Sequence, residues 1–456
     1  MIVVIIDLLS LLSVISKLLE KCVRKQLIKY LFENKLIFKN QFGFRSDLTT
    51  DDALFRLSNK IHKLIDKNKK ILMVFIDLAK AFDSLNRKML LKKLKHMGIN
   101  RASLNWFTSY LTDREQVVSV NSTLSERQSI NYGVIQGSTL GPLLFLIYIN
   151  NLGKINLDKG EMYLYADDTA LIFEGDTWDE VYRYAEVGLR TVKRWFDQNR
   201  LTINVGKTKH MAVSLRAASD PINKDLKLHT CKDDAVCNCD LIDRVECYKY
   251  LGVVFDNRLK WFKHINYINN KLRKCVYMFA NLSKVLNRQQ IKTVYYAYVQ
   301  SILQYGIIAW GGALSTIIQP LQITQKSIIK AALQKPRTYP SDSLFDDFKV
   351  FDIRQLYIKV LACYAFKNDY NFLQETEHIH ATRYQQQVGL ITPRISKSIN
   401  ATNSVFLTHI LFQNLPAELR NTSCYSLSKY KNIISSWLIS LGRVAANRLI
   451  ASVYVS

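Results

Sequence analysis

The sequence predicts an α+β fold, with short buried strands covered by helices and then a long, basic, mostly helical region. Three observations carry this expectation. Ile71-Leu72-Met73-Val74-Phe75-Ile76 is six continuous hydrophobes ended by Asp77, the pattern of a strand buried on both faces. Met162 to Ala166 and Ala170 to Phe173 read as two strands with only Asp167-Asp168-Thr169 between them, a tight hairpin with a carboxylate pair at its tip. From Trp261 to about Leu333 the apolar residues follow a helical period and the charges are basic.

The remaining elements follow in chain order. Met1 to Ile6 is apolar but has no basic leader, and Asp7 interrupts it, which argues against a signal sequence. Leu8, Leu11, Leu12, Ile15, Leu18, Leu19 and Cys22 fall on one helical face, with Lys17, Lys21, Arg24 and Lys25 away from it, so an amphipathic helix is expected. Residues up to about 70 read as helices around one loop, Gln41-Phe42-Gly43-Phe44-Arg45. Helices are expected from Arg87 to Met97, with Gly98 as the stop, and from Arg101 to Leu111. Gln116 to Val120 reads as a strand, and a strongly apolar helix should begin near Pro142. Thr177 to Asn199 spaces Trp178, Val181, Ala185, Leu189 and Val192 as a helix laid on a sheet. Met211 to Leu215 and Tyr250 to Phe255 read as further strands. The last hundred residues are mixed, and little can be read from Asn400 onward.

With 456 residues the chain has room for two to three domains, and 48% hydrophobic side chains suffice for a full core, which excludes a disordered chain. No stretch is long and uncharged enough to span a bilayer. Lys and Arg number 63 against 38 Asp and Glu, a net charge of +25 that must lie largely on the surface. Nucleic-acid phosphates are the commonest partner for such a surplus, and an acidic membrane is the alternative. The charge is concentrated. Between Asn257 and Pro340 there is no Asp or Glu but thirteen Lys or Arg, from Arg258 to Arg337, interleaved with aromatics such as Trp261, Tyr277 and Tyr298. A solvated helical face over an aromatic core is the plainer reading. Ordinary surfaces mix signs, however, so the run points to a phosphate-binding surface, with Arg273, Lys274 and Lys284 as candidate contacts.

Eight cysteines show no secretory pattern. Cys231, Cys237, Cys239 and Cys247 cluster, and zinc must be considered. The spacings do not form two C-x2-C pairs and no histidine stands convincingly as a further ligand, so thiols in a reducing, intracellular compartment are the expectation.

Asp77, Asp167 and Asp168 carry the chemistry. Alone, an Asp at a strand end reads as a cap and an Asp-Asp pair in a hairpin as turn chemistry. Together, each follows an apolar strand that would carry it to one end of a buried sheet. Adjacent carboxylates repel and need a counter-charge, which a pair of Mg²⁺ ions (or Mn²⁺ in their place) supplies. Two such ions about 3.5–4 Å apart suit phosphoryl transfer, where the protein mainly positions groups and stabilises charge.

Several segments resemble a known family. Phe75-Ile76-Asp77-Leu78-Ala79-Lys80-Ala81-Phe82-Asp83 looks like the first catalytic motif of non-LTR (LINE-type) retrotransposon reverse transcriptases. Gln136-Gly137-Ser138-Thr139-Leu140-Gly141-Pro142 is similar to their nucleotide- and template-contacting motif, and Tyr165-Ala166-Asp167-Asp168 to their catalytic hairpin. Trp195 to Asn204 with Lys207-Thr208 resembles the next motif, and Gln41 to Arg45 a fingers motif. Tyr250-Leu251-Gly252-Val253 with Trp261 and His264 looks like the primer grip of jockey-like elements. Six segments in family order are far more specific than any one of them.

The resemblance implies a right-hand polymerase fold: fingers and palm over residues 1–256, the palm an antiparallel sheet packed on helices, a mostly helical basic thumb over 257–370, and a C-terminal region of unknown role over 371–456. It implies an RNA-directed DNA polymerase whose partners are an RNA template, a DNA primer and dNTPs. Asp77, Asp167 and Asp168, with the carbonyl of Leu78, would hold the two metals. Phe82 would lie under the sugar and exclude a 2′-hydroxyl; otherwise it is core. Arg45 would grip the triphosphate, its fork matching phosphate better than a point charge. Gln136 and Gly137 would line the nucleotide pocket, Lys207 would sit near the leaving pyrophosphate, and Leu251 and Gly252 would form the primer grip. Two positions depart from the family, Ile135 where Pro is usual and Asn151 where Asp is usual; neither removes a metal ligand. The sequence opens where the family's Leu-Leu-Ser fingers segment begins, without the upstream basic motif or an endonuclease, so it reads as a truncated copy or a fragmentary gene model. A catalytically dead remnant that still binds nucleic acid is therefore the rival reading. A group II intron-like maturase fits the primer-grip and thumb segments less well.

Overall fold

The computed structural model describes residues 12–229, 231, 239–368, 397–420 and 425–451. They form two compact units. The first draws on the chain up to Ala53, Lys70–Val213 and Asp220–Val245; the second draws on Leu54–Lys69, Ser214–Ser219 and the chain from Glu246 onward.

The first unit runs through α1 (Val14–Glu33), the first residues of α2 (Thr50–Asp66), β1 (Lys70–Ile76), β2 (Leu78–Ala79), α3 (Arg87–His96) and α4 (Arg101–Leu111). Four short strands follow, β3 (Arg114–Gln116), β4 (Ser119–Val120), β5 (Thr123–Leu124) and β6 (Gln128–Ile130). Then come α5 (Gly141–Ile149), β7 (Gly160–Tyr165), β8 (Asp168–Gly175), α6 (Trp178–Gln198), β9 (Thr202–Ile203), β10 (Lys209–Val213), β11 (Leu226–Leu228) and β12 (Asp240–Arg244).

Six strands form one sheet in the order β11-β12-β10-β1-β8-β7. Every residue of β1 from Ile71 to Ile76 is buried, as its unbroken apolar run requires of an inner strand with both faces covered. It pairs antiparallel with β10 (Ile71 opposite Val213) and with β8 (Ile76 opposite Thr169). The amphipathic helix α6 buries Val181, Ala185, Leu189, Val192 and Phe196, and its start is fixed by a capping box in which Thr177 and Glu180 satisfy each other's main-chain N–H groups. By contrast α5 is apolar all round, and Leu143 to Ile149 are all buried.

The N-terminal helix corrects one expectation. Leu8 and Leu11 lie outside the described residues, but Ile15, Leu18, Leu19 and Cys22 are exposed. The helix is held instead by Leu27, Leu31 and Glu20, all buried. The Glu20 carboxylate accepts the N–H of Thr139 (2.6 Å) and of Leu140 (3.4 Å) just ahead of α5, and the Tyr110 hydroxyl (2.9 Å). Negative charge at the start of α5 suits the helix dipole. Periodicity found the apolar stripe and missed the anchor, because a buried carboxylate reads as a polar residue until its partners are known.

Buried Arg87 fixes the next loop. Its guanidinium donates to the carbonyls of Gly133 (2.9 Å), Leu111 (2.9 Å), Ile130 (2.5 Å) and Tyr132 (3.2 Å), tying the β3–β6 ribbon to α3. The strand expected at 116–120 is divided between β3 and β4, which pair with β6 and β5.

The second unit opens with β13 (Cys247–Tyr250) and β14 (Val253–Asp256), a hairpin where one strand was expected. The break is conformational: Leu251 and Gly252 both have positive φ (45° and 79°), the requirement of a two-residue turn. A Cβ at position 252 would also meet the Tyr305 ring at 2.8 Å, so both φ and space call for glycine there. The Asp256 carboxylate accepts the N–H groups of Arg258, Lys260 and Trp261 and leads into α7 (Phe262–Leu282). The expected helical run follows: α8 (Arg288–Tyr295), a π-turn over Tyr296–Gln300, α9 (Ser301–Gln304), α10 (Ile307–Trp310) and α11 (Ser315–Ala332). Next are α12 (Ser341–Phe348), α13 (Ile353–Lys367), α14 (Ser404–Asn414), α15 (Ala417–Arg420), α16 (Leu427–Leu441) and α17 (Arg443–Ala451). Here α13 is the hub. Its Arg354 donates to the carbonyls of Gly311 and Ala313, and its Gln355 to that of Leu438. From the final segment, Asn400 bonds His62 and Asp66 of α2. No described helix is long and apolar enough to cross a membrane.

Candidate active site

Asp77 follows the last residue of β1, and Asp168 is the first residue of β8. With Ile76 opposite Thr169, the antiparallel register brings the two carboxylates to the same end of the sheet. The hairpin is tighter than the sequence suggested. Asp168 already pairs with Tyr165, so the turn is only Ala166-Asp167, with Ala166 at φ 57°. A side chain held at positive φ is a modest strain, and here it sits at the tip that carries the acids.

The tip is braced from behind. The Gln41 side-chain oxygen accepts the N–H of Ala166 (3.2 Å) and of Gly43 (3.0 Å), and the Phe42 N–H donates to the Leu164 carbonyl (2.8 Å). A Cβ on Gly43 would lie 2.4 Å from the Ala166 nitrogen, so only glycine lets this loop close on the hairpin. Asp77 is clamped by its own main chain: its carbonyl accepts Asn204 N–H (2.8 Å) and its N–H donates to the Thr208 hydroxyl (3.3 Å). Neither Gln41 nor Thr208 was assigned a role from the sequence, although both lie within segments singled out there. Uncharged and not nucleophilic, they give no chemical signal until the hydrogen bonds are seen.

The electrostatics are those of an anionic nest. Loss of solvation pushes the Asp167 carboxyl up, and Asp77 adds like charge. Asp168 is open to solvent as a residue, yet loss of solvation around its carboxyl, with Asp167 and Asp77 as like charges, pushes it up to about 6. One buried oxygen of Asp77 (Oδ2) has no hydrogen-bond partner, and the Lys207 ammonium stands 3.8 Å from it. Three crowded carboxylates with an orphaned oxygen fit hard divalent cations, which bind oxygen donors and relieve the repulsion.

This crowding makes stability depend on pH. A carboxyl raised in the folded state contributes stability that is full below its unfolded value near 3.8 and is lost as pH rises through about 6. A cation bound by these carboxylates would remove that loss by replacing the protons. The rise in melting temperature on adding Mg²⁺ should therefore grow between about pH 5 and about pH 7.5. A rise of equal size at both ends would contradict the assignment.

The other expected residues are distributed over both units. Half-buried Phe82 stacks on Phe145 (centroids 4.5 Å apart) and meets Phe44 edge-on at 6.2 Å. Gln136 donates to Asp83 (2.8 Å), and Gly137 beside it is exposed. Leu78 pairs with Ile203 of β9. Arg45 is engaged by Asp47 at 2.6 Å and lies over the Phe32 ring at 4.9 Å, so its guanidinium has a partner already. In the second unit Leu251 and Gly252 form the β13–β14 turn, the Leu251 carbonyl accepts the Tyr305 hydroxyl (2.9 Å), and Arg273, Lys274 and Lys284 are exposed. Phe262, Tyr277 and Tyr298 are also exposed, while Trp261, Phe279, Tyr295 and Trp310 are core.

The chain is similar to known proteins. The chain matches the family described as "Reverse transcriptase (RNA-dependent DNA polymerase)" over residues 7–255. It is 28% identical over 359 residues to the "Probable RNA-directed DNA polymerase from transposon BS" of Drosophila melanogaster, covering 76% of this chain and 38% of that one. It is 25% identical over 350 residues to the "RNA-directed DNA polymerase from mobile element jockey" of the same organism, covering 75% and 37%. The chain thus spans well under half the length of these relatives. Among solved structures, apo telomerase from Candida Tropicalis aligns over 76% of this chain and 59% of its own, at 11% identity and a TM-score of 0.38.

Proposed function

Because the chain belongs to the reverse transcriptase family, with the right-hand polymerase fold of that family, we propose that it extends a DNA primer on an RNA template as the polymerase of a non-LTR retrotransposon. The observation that carries this reading is the convergence of Asp77, Asp167 and Asp168 at one end of the β1/β8 pair, with a buried oxygen among them that has no hydrogen-bond partner. Mg²⁺ is the proposed cation, held by these three carboxylates and the Leu78 carbonyl; bound there it would favour the deprotonated primer 3′-hydroxyl and neutralise the triphosphate.

The chain's own residues do the positioning. Gln136, held by Asp83, and Gly137 would line the base and sugar side of the nucleotide pocket. Lys207, 3.8 Å from Asp77, would meet the leaving pyrophosphate once cations occupy the acids. Arg45 would exchange Asp47 for a phosphate, two acceptors of the same fork geometry. The β13–β14 turn would hold the primer end, and residues 257–370, with α7 to α13, would be the thumb. The rival of a dead remnant is disfavoured by an intact acid set still held by its clamps. The deciding assay is dNTP incorporation by purified protein on an RNA template, with and without Mg²⁺. No metal-dependent extension, from protein that melts cooperatively, would overturn the proposal.

Phe82 is the proposed sugar gate. Its ring is stacked on Phe145 and only half-buried, which leaves an edge for a substrate. Phe82→Val should raise ribonucleotide incorporation relative to deoxyribonucleotide about tenfold or more by relieving a clash. If Phe82 is core only, its loss opens a cavity costing about 1–3 kcal/mol and lowers both activities together. Single-nucleotide incorporation with each sugar, beside a thermal melt, separates the two.

A further inference from the structure

Cysteine spacing favoured plain thiols over a metal site. The fold changes that reading, because β11 and β12 bring a histidine to the cysteines. Leu228 pairs with Asp240, so His229, the next residue after β11, and Cys239, the residue before β12, stand across from each other at the loop end of the hairpin. Cys231 lies just inside the loop that they close. The Cys231 sulfur is 3.7 Å from His229 Nδ1 and 3.4 Å from the Cys239 sulfur, and the donor atoms of all three lie within 4.8 Å of one another. Cys237 lies outside the described residues, and Cys247 is in β13, outside this group.

We propose that His229, Cys231 and Cys239 form a structural zinc site that staples the β11–β12 hairpin. Bond lengths of about 2.3 Å to sulfur and 2.0–2.1 Å to nitrogen put tetrahedral sulfurs roughly 3.8 Å apart and a sulfur and nitrogen roughly 3.5 Å apart, within about 0.4 Å of the two distances above. A disulfide is a poorer description: its sulfurs would be about 2.05 Å apart. The donor set is soft and nitrogen–sulfur, unlike the all-oxygen set of Asp77, Asp167 and Asp168, so the two sites select different metals. The three donors among the described residues leave one tetrahedral position for a further ligand. The location supplies a reason for a staple. Strand β11 is a three-residue edge strand, and eleven residues of sequence, 229 to 239, separate it from β12. A hairpin of this size is marginal unless something closes its mouth. His229 is itself buried, while Cys231 and Cys239 are partly so, as expected of a site closed to bulk water.

The test uses the whole chain. Purified without chelator, it should carry about one zinc per molecule by elemental analysis. Exchange for cobalt should give the thiolate-to-cobalt charge-transfer band, which carboxylate sites cannot produce. Cys231→Ser, Cys239→Ser and His229→Ala should each lower zinc content and weaken the band, while Cys247→Ser leaves both unchanged. Circular dichroism shows whether each variant is folded. Should a variant unfold, thiol alkylation of the wild type gives an independent readout: added zinc should protect Cys231 and Cys239, and Mg²⁺ should not. Sub-stoichiometric zinc, a band that survives the variants, or unprotected thiols would each overturn the proposal.

Discussion

Asp167→Asn or Asp77→Asn is expected to lower Mg²⁺-dependent primer extension by about 10²–10³-fold or more, with template affinity changed by less than about twofold. The substitution keeps shape and removes charge, so the strand ends and the Gln41 brace should persist. It should also relieve repulsion: with one charge gone, the Asp168 carboxyl should fall from its position near 6. Metal-free variants should therefore melt no lower than the wild type, and the melting rise on adding Mg²⁺ should shrink. Lost activity with a lowered melting point would place the residue in the scaffold instead. Extension near the wild-type rate by either variant would remove that residue from the metal set.

The second large effect concerns the basic helices. Charge reversal of Arg273, Lys274 and Lys284 together should weaken binding to a primer–template duplex by about 10²-fold near physiological salt. The slope of log affinity against log salt should fall by roughly 0.9 for each phosphate that is no longer neutralised. All three side chains are exposed, and none joins a salt bridge among those of the described residues. Tyr277, on the same helix as Arg273 and Lys274, is 77% exposed and offers a ring for stacking. An unchanged slope and affinity would mean that these cations only solvate the helix.

Much of the catalytic unit was legible because its signals are local. Six hydrophobes before Asp77 read as an inner strand, and two short strands three residues apart read as a hairpin. The family motifs then named residues such as Lys207 that the fold does set beside Asp77. The rest was hidden for physical reasons. Glu20 reads as a surface charge on a helix, and only the position of α5 makes it an anchor. Leu251 and Gly252 turn one expected strand into two, since positive φ at a leucine leaves no mark in composition. His229 was passed over because sequence spacing is a poor measure of distance across a hairpin. The motif put Arg45 at phosphate, and its bond to Asp47 adds a competitor that no motif contains.

The Ala166-Asp167 turn bears on which lesions this gene can survive. Side chains alternate faces along a strand, so deleting one residue from β7 or β8 would invert the face of everything beyond the cut. A two-residue turn has no slack to absorb the slip, and Gly43 is already packed against it. An in-frame deletion of one codon there should therefore be as damaging as losing an aspartate outright. The β3–β6 ribbon is the opposite case. Its strands are short and mostly exposed, and the chain between β4 and β5 is only a tip. Residues gained or lost at 121–122 should leave the melting temperature nearly unchanged, whereas a single residue lost from 160–175 should abolish cooperative melting.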